Sequence, residues 1–94
     1  MPLKEVRAKI EKLDNQILRL IEQRTALATD VLEAKKAIGM PINDNEQNKI
    51  VLDRVANAAT EVGLDGEEVK RIFEILITMN IERQHELSGE GNLP

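Results

Sequence analysis

Along the first part of the chain, apolar residues recur at every third or fourth position: Leu3, Val6, Ile10, Leu13, Ile17, Leu20, then Leu27, Val31, Ala34 and Ile38. The alternating steps of three and four form a heptad seam on one long helix, and no proline or glycine interrupts it. Arg24 fills the one seam position that is not apolar. A helix from Leu3 to Ile38 would be about 54 Å long at the standard rise. A compact domain of this chain length is only roughly 30 Å across. The rest of the chain is too short to cover such a seam, and a second copy is its economical cover. The pattern therefore predicts a homodimer.

The punctuation divides the remainder into two further helices. Gly39 is placed to end the first helix in a left-handed conformation, and Pro41 blocks its continuation. Asp44 is the expected N-cap of a second helix, with Gln47 completing a capping box. That helix, about residues 45–62, carries Ile50, Val51, Val55, Ala58, Ala59 and Val62 on one side and stops at Gly63. Asp65 with Glu68 forms the next capping box and opens a third helix, about 66–87. It presents Val69, Ile72, Phe73, Leu76, Ile77, Ile81 and Leu87. Residues 88–94 read as a flexible tail. The expected fold is all-α, three helices with the first very long, in one domain over residues 1–87.

Composition narrows the chemistry. The chain has 94 residues, no cysteine and a single histidine, His85. Disulfides, thiolate nucleophiles and thiolate or His-rich metal sites are excluded. No Gly-rich phosphate loop or nucleophile–base pair is legible, so no cofactor and no metal are expected. The net charge of −4 and the single aromatic residue, Phe73, argue against nucleic acid as a partner. No continuous apolar run suggests a signal peptide or a membrane span, which predicts a cytoplasmic protein. Any anionic ligand must be held by a local group of cations within an acidic chain.

Candidate functional residues are those that break the packing pattern. An unpaired charge in an apolar seam costs several kcal/mol, so Arg24 calls for an acidic partner or an anionic ligand. A register-setting role in a coiled coil is the alternative. Lys35, eleven residues on, projects from nearly the same face, with the small Ala28 and Val31 between the two cations. Arg7 shares the heptad position of Lys35 but lies about 42 Å away along the helix. It can approach Arg24 and Lys35 only from the other chain of an antiparallel dimer; otherwise it is a surface arginine. Asn80 and Gln84 continue the apolar stripe of the third helix where leucine or isoleucine would be expected. They either face inward or mark a fraying end. Asp44, Gln47 and Asn48 surround a helix N-terminus, where free N–H groups favour anions and oxygens.

The order and spacing of these residues resemble the all-helical chorismate mutase family in its short free-standing form. The likeness covers about residues 4–87. It includes Val6-Arg7-Ala8-Lys9-Ile10, Leu13-Asp14, Glu22-Gln23-Arg24, Ala34-Lys35, the loop Gly39 to Asp44, Arg71-Ile72-Phe73 and the Gln84 turn. The resemblance implies an intertwined homodimer with two identical sites, each completed by Arg7 from the other chain. It implies that Arg24 and Lys35 hold the two carboxylates of chorismate. Lys35 and Gln84 would donate to the ether oxygen of the breaking bond. Asn80 would stand near a carboxylate and Asp44 beside the C4 hydroxyl. Ala28, Val31, Ile77 and Ile81 would form apolar walls. Two adjacent positions differ: Gln47 and Asn48 stand where the family usually has an Arg-Glu pair.

The activity implied is the [3,3] Claisen rearrangement of chorismate to prephenate, in the phenylalanine and tyrosine branch of aromatic amino acid biosynthesis. It needs no nucleophile and no proton transfer. Three alternatives stay open. One is a related pericyclic enzyme on the same fold, an isochorismate-pyruvate lyase or an aminodeoxychorismate mutase. Another is a non-catalytic ligand-binding helical dimer. The third is a plain dimerisation element in which Arg24 sets register.

Overall fold

A computed structural model describes residues 1–89, so all but Ser88 and Gly89 of the expected tail lie outside the described residues. Four helical segments follow one another: α1 (Leu3–Ala26), α2 (Ala28–Ala37), α3 (Asn45–Glu61) and α4 (Gly66–Ser88). No strand occurs among the described residues. The expected first helix is present as α1 and α2, divided at Leu27. The division is slight. Leu27 keeps right-handed backbone angles (φ −68°, ψ −8°), and its carbonyl accepts from Val31 at 3.0 Å. One cause is adjacent: the Asn80 side chain donates to the Arg24 carbonyl at 3.2 Å. A side-chain donor entering the i→i−4 ladder locally disturbs a helix. α1 and α2 thus form one rod with a one-residue irregularity.

The helix ends follow their local chemistry. Gly39 and Gly63 have φ of +70° and +80°, the left-handed conformation that ends a helix without steric cost. At the first, Met40 N–H returns to the Lys35 carbonyl at 2.8 Å. Asp44 caps α3 by accepting from Gln47 N–H at 3.1 Å. Asp65 caps α4 by accepting from the N–H groups of Glu67 and Glu68. The Glu68 carboxylate points to Arg71 at 2.6 Å rather than back to the cap, so that capping box is closed on one side only.

α3 packs on α4, and α4 in turn packs on α2 and α1. The buried apolar residues are Val51, Val55 and Ala59 of α3 with Ala28 and Leu32 of α2. The expected apolar faces are narrower than the periodicity suggests. Ile50, Val62 and Ile72 are each more than half exposed, at 52%, 73% and 54%. α4 does not fray: it continues through Ser88, and Gln84 is its one buried residue, at 2% exposure.

α1 differs from the rest in having no buried residue at all. Its seam residues Leu3, Ile10, Leu13, Ile17 and Leu20 stand bare to solvent in the single chain. The molecule measures 54 × 27 × 23 Å with a radius of gyration of 16.6 Å, against about 12 Å for a compact chain of this size. The excess is the protruding half of the rod.

Candidate active site

A cavity of about 270 Å³ is lined by residues of the rod, of α3 and the turn before it, and of α4, just below the usual range of about 300–1,000 Å³ for ligand pockets. The rod contributes Arg24, Leu27, Val31 and Lys35. The start of α3 contributes Asp44, Gln47, Asn48 and Val51, and α4 contributes Ile77, Asn80, Ile81 and Gln84. Helical spacing explains the convergence. Positions 24, 27, 31 and 35 advance by three or four along one face, as do 77, 80, 81 and 84.

The polar members are tied into one directional chain. Lys35 Nζ donates to Gln84 Oε1 at 3.2 Å and also to the Ile42 carbonyl of the loop before α3. Gln84 Nε2 donates to Asn80 Oδ1 at 2.7 Å. Asn80 Nδ2 donates to the Arg24 carbonyl, and Arg24 Nη1 donates to the Leu76 carbonyl at 3.0 Å. Each amide is thereby held in one orientation, since turning Gln84 over would set its NH₂ against an ammonium group. An ammonium has three donors and a guanidinium five. Both cations therefore retain N–H groups for a ligand after anchoring themselves.

The charge balance favours an anion. Arg24 and Lys35 line the cavity with Asp44 as the one carboxylate among the lining residues. The ion pairs among the described residues, Lys49–Asp53, Arg71–Glu68 and Arg83–Glu86, all lie outside it. Burial lowers the pKa of the Arg24 guanidinium, and the charge of Arg54 lowers it further. A desolvated cation beside a like charge is an arrangement that a bound carboxylate relieves.

Most of the sequence-derived site residues meet here: Arg24, Val31, Lys35, Asp44, Gln47, Asn48, Ile77, Asn80, Ile81 and Gln84. Ala28 does not line the cavity. It is fully buried, and Leu27 lines the cavity instead. Arg7 is exposed on the free half of α1, about 25 Å along the rod from Arg24, and does not reach the cavity of its own chain. Sequence reasoning missed Leu27 and Val51 as walls and the carbonyls of Leu76 and Ile42 as anchors for the cations.

Residues 6–85 match the model of the family described as "Chorismate mutase type II". The chain is 45% identical over 78 residues to a chorismate mutase of Methanocaldococcus jannaschii, covering 83% of this chain and 79% of that protein. It is 30% identical over 86 residues to the bifunctional chorismate mutase/prephenate dehydratase of Escherichia coli K12. That match covers 92% of this chain but only 22% of the longer protein. It is also 28% identical over 76 residues to a 4-amino-4-deoxychorismate mutase of Streptomyces venezuelae, covering 81% and 74%.

Proposed function

The chain belongs to the chorismate mutase type II family, and on that premise we propose that it rearranges chorismate to prephenate as a cytoplasmic homodimer. The observation that carries the reading is the Lys35–Gln84 pair, joined at 3.2 Å in a cavity whose rod side also presents Arg24. In this reading the C–O bond of the enolpyruvyl ether breaks as a C–C bond forms to the ring, all within one molecule. Lys35, with its third N–H, and Gln84, with its second, donate to the ether oxygen as negative charge grows on it. The Arg24 guanidinium hydrogen-bonds one carboxylate and the charge of Lys35 attracts the other, which holds the flexible arm folded over the ring. Arg7 of the second chain completes the carboxylate site. Asp44 and Asn48 meet the C4 hydroxyl, while Val31, Ile77 and Ile81 with Leu27 and Val51 enclose the ring.

A second reading is favoured by Gln47 and Asn48. Both line the cavity, and they leave Asp44 as its one acid, so a substrate bearing an amine at C4 is also accommodated. The likeness to the Streptomyces protein keeps that substrate in view. The deciding experiment presents the purified chain with chorismate and with 4-amino-4-deoxychorismate. A kcat/KM for chorismate at least tenfold higher is expected. The reverse order would move the assignment to the amino substrate, and turnover of neither would leave a ligand-binding dimer.

A further inference from the structure

Asn80 lines the cavity, and the resemblance implies that it stands near a carboxylate of the substrate. Its own hydrogen bonds point to a different duty. Asn80 Oδ1 accepts from Gln84 Nε2 at 2.7 Å, and Asn80 Nδ2 donates to the Arg24 carbonyl at 3.2 Å. An amide has one acceptor oxygen and two N–H groups. After these two bonds Asn80 has a single N–H left.

Gln84 needs an external guide. The last torsion of a glutamine side chain is broad and roughly two-fold, so partners set the plane and sense of its amide. Gln84 is 2% exposed, so bulk water does not supply those partners. Lys35 Nζ donates to Gln84 Oε1 at 3.2 Å, which decides the end that carries the oxygen. One contact alone still lets the amide swing about it. The bond to Asn80 is the second point, and it fixes the plane.

This run of bonds ends on both sides at a group of fixed polarity. The Arg24 main-chain carbonyl can only accept, and the Lys35 ammonium can only donate. Between them the two amides fit in one sense. Reversing either would set donor against donor and oxygen against oxygen. With that sense fixed, the remaining Nε2–H of Gln84 has one direction.

We propose that Asn80 is a positioning residue: it orients the Gln84 amide so that its second N–H is held ready for the ether oxygen, and it does not bind a carboxylate. The inference rests on the role given to Gln84 above and deepens it by one residue. Preorganised donors stabilise developing charge without reorganising at the moment of reaction. Asn80 therefore acts on the barrier and little on binding.

The test is a double-mutant cycle in steady-state kinetics with chorismate on the full chain. It compares wild type, Asn80→Leu, Gln84→Leu and the double variant, with Asn80→Ala as a smaller truncation and circular dichroism of each. Asn80→Leu and Asn80→Ala are each expected to lower kcat about fivefold, the scale of one neutral hydrogen bond. KM should stay within about twofold. With Gln84→Leu in place there is no amide to orient, so adding Asn80→Leu should cost less than about twofold more. A rise in KM at unchanged kcat would make Asn80 a carboxylate ligand and overturn the assignment. So would an equal loss in both backgrounds, since Asn80 would then act independently of Gln84, as a merely structural residue does. If the wild type turns over no chorismate, the parent reading fails and this one with it. Equal losses in an active enzyme overturn this one alone.

Discussion

Lys35 is the residue on which the local structure converges. It spans from α2 to Gln84 of α4 and to the Ile42 carbonyl of the loop, so it positions the cavity as well as charging it. In the proposed mechanism it also faces the breaking bond. Lys35→Ala is expected to raise the barrier by about 2.7–4 kcal/mol, roughly a hundred- to a thousandfold in kcat. Asn80→Ala removes a link that orients Gln84 and costs about tenfold or less. Stopped chorismate assays on both variants, with circular dichroism to confirm folding, check the order; equal small losses would misplace the chemistry. Arg24, Asn80 and Gln84 were legible in the sequence because each is polar where the helical period demands an apolar side chain, and Lys35 because it projects from nearly the same face as Arg24. The Leu76 and Ile42 carbonyls were not, since a main-chain acceptor leaves no trace in residue type. Leu27 and Val51 look like any other apolar residue of the helical stripe, and spacing, which names a face but not its depth, does not show that Ala28 is buried while Leu27 lines the cavity.

At the scale of the element, the helix ends were the most legible feature. Asp44, Asp65, Gly39 and Gly63 act through bonds and angles within a few residues of themselves, so their effect does not wait on tertiary packing. The contact between α3 and α4 is different. A Cβ added at Gly66 would lie 2.9 Å from the Ala56 carbonyl oxygen and 3.0 Å from Thr60 Oγ1. The first is backbone, and Thr60 Oγ1 is itself bonded to that carbonyl, so neither can simply swing away. Gly66→Ala should destabilise by about 1–3 kcal/mol, as overpacking of a close contact does, outweighing the gain in helix propensity. A lower thermal midpoint with retained helical spectra at low temperature is the expected result. The one-residue irregularity at Leu27 was beyond sequence reading for a similar reason: its adjacent donor, Asn80, comes from a helix more than fifty residues later. Ile50, Val62 and Ile72 show the same limit, because periodicity marks a stripe but not how far a neighbour covers it.

For the whole molecule, the length of the seam was the strongest signal in the sequence, and the elongated single chain with its uncovered apolar α1 carries it into three dimensions. The proposed dimer puts Arg7 of one chain at the cavity of the other, and that can be tested by mixing. Arg7→Ala and Arg24→Ala chains should each be nearly inactive. Their heterodimer should regain about half the wild-type activity, because one of its two sites escapes both substitutions. Heterodimers that form without activity would remove Arg7 from the site. Among the described residues no helix is long and apolar enough to cross a membrane. A rod that cannot bury its own stripe has a further consequence under this reading. Neither site exists until two chains have met, so at high dilution catalytic capacity scales with the square of chain concentration rather than in proportion to it. A cell making too little of this protein would lose flux more steeply than it loses protein.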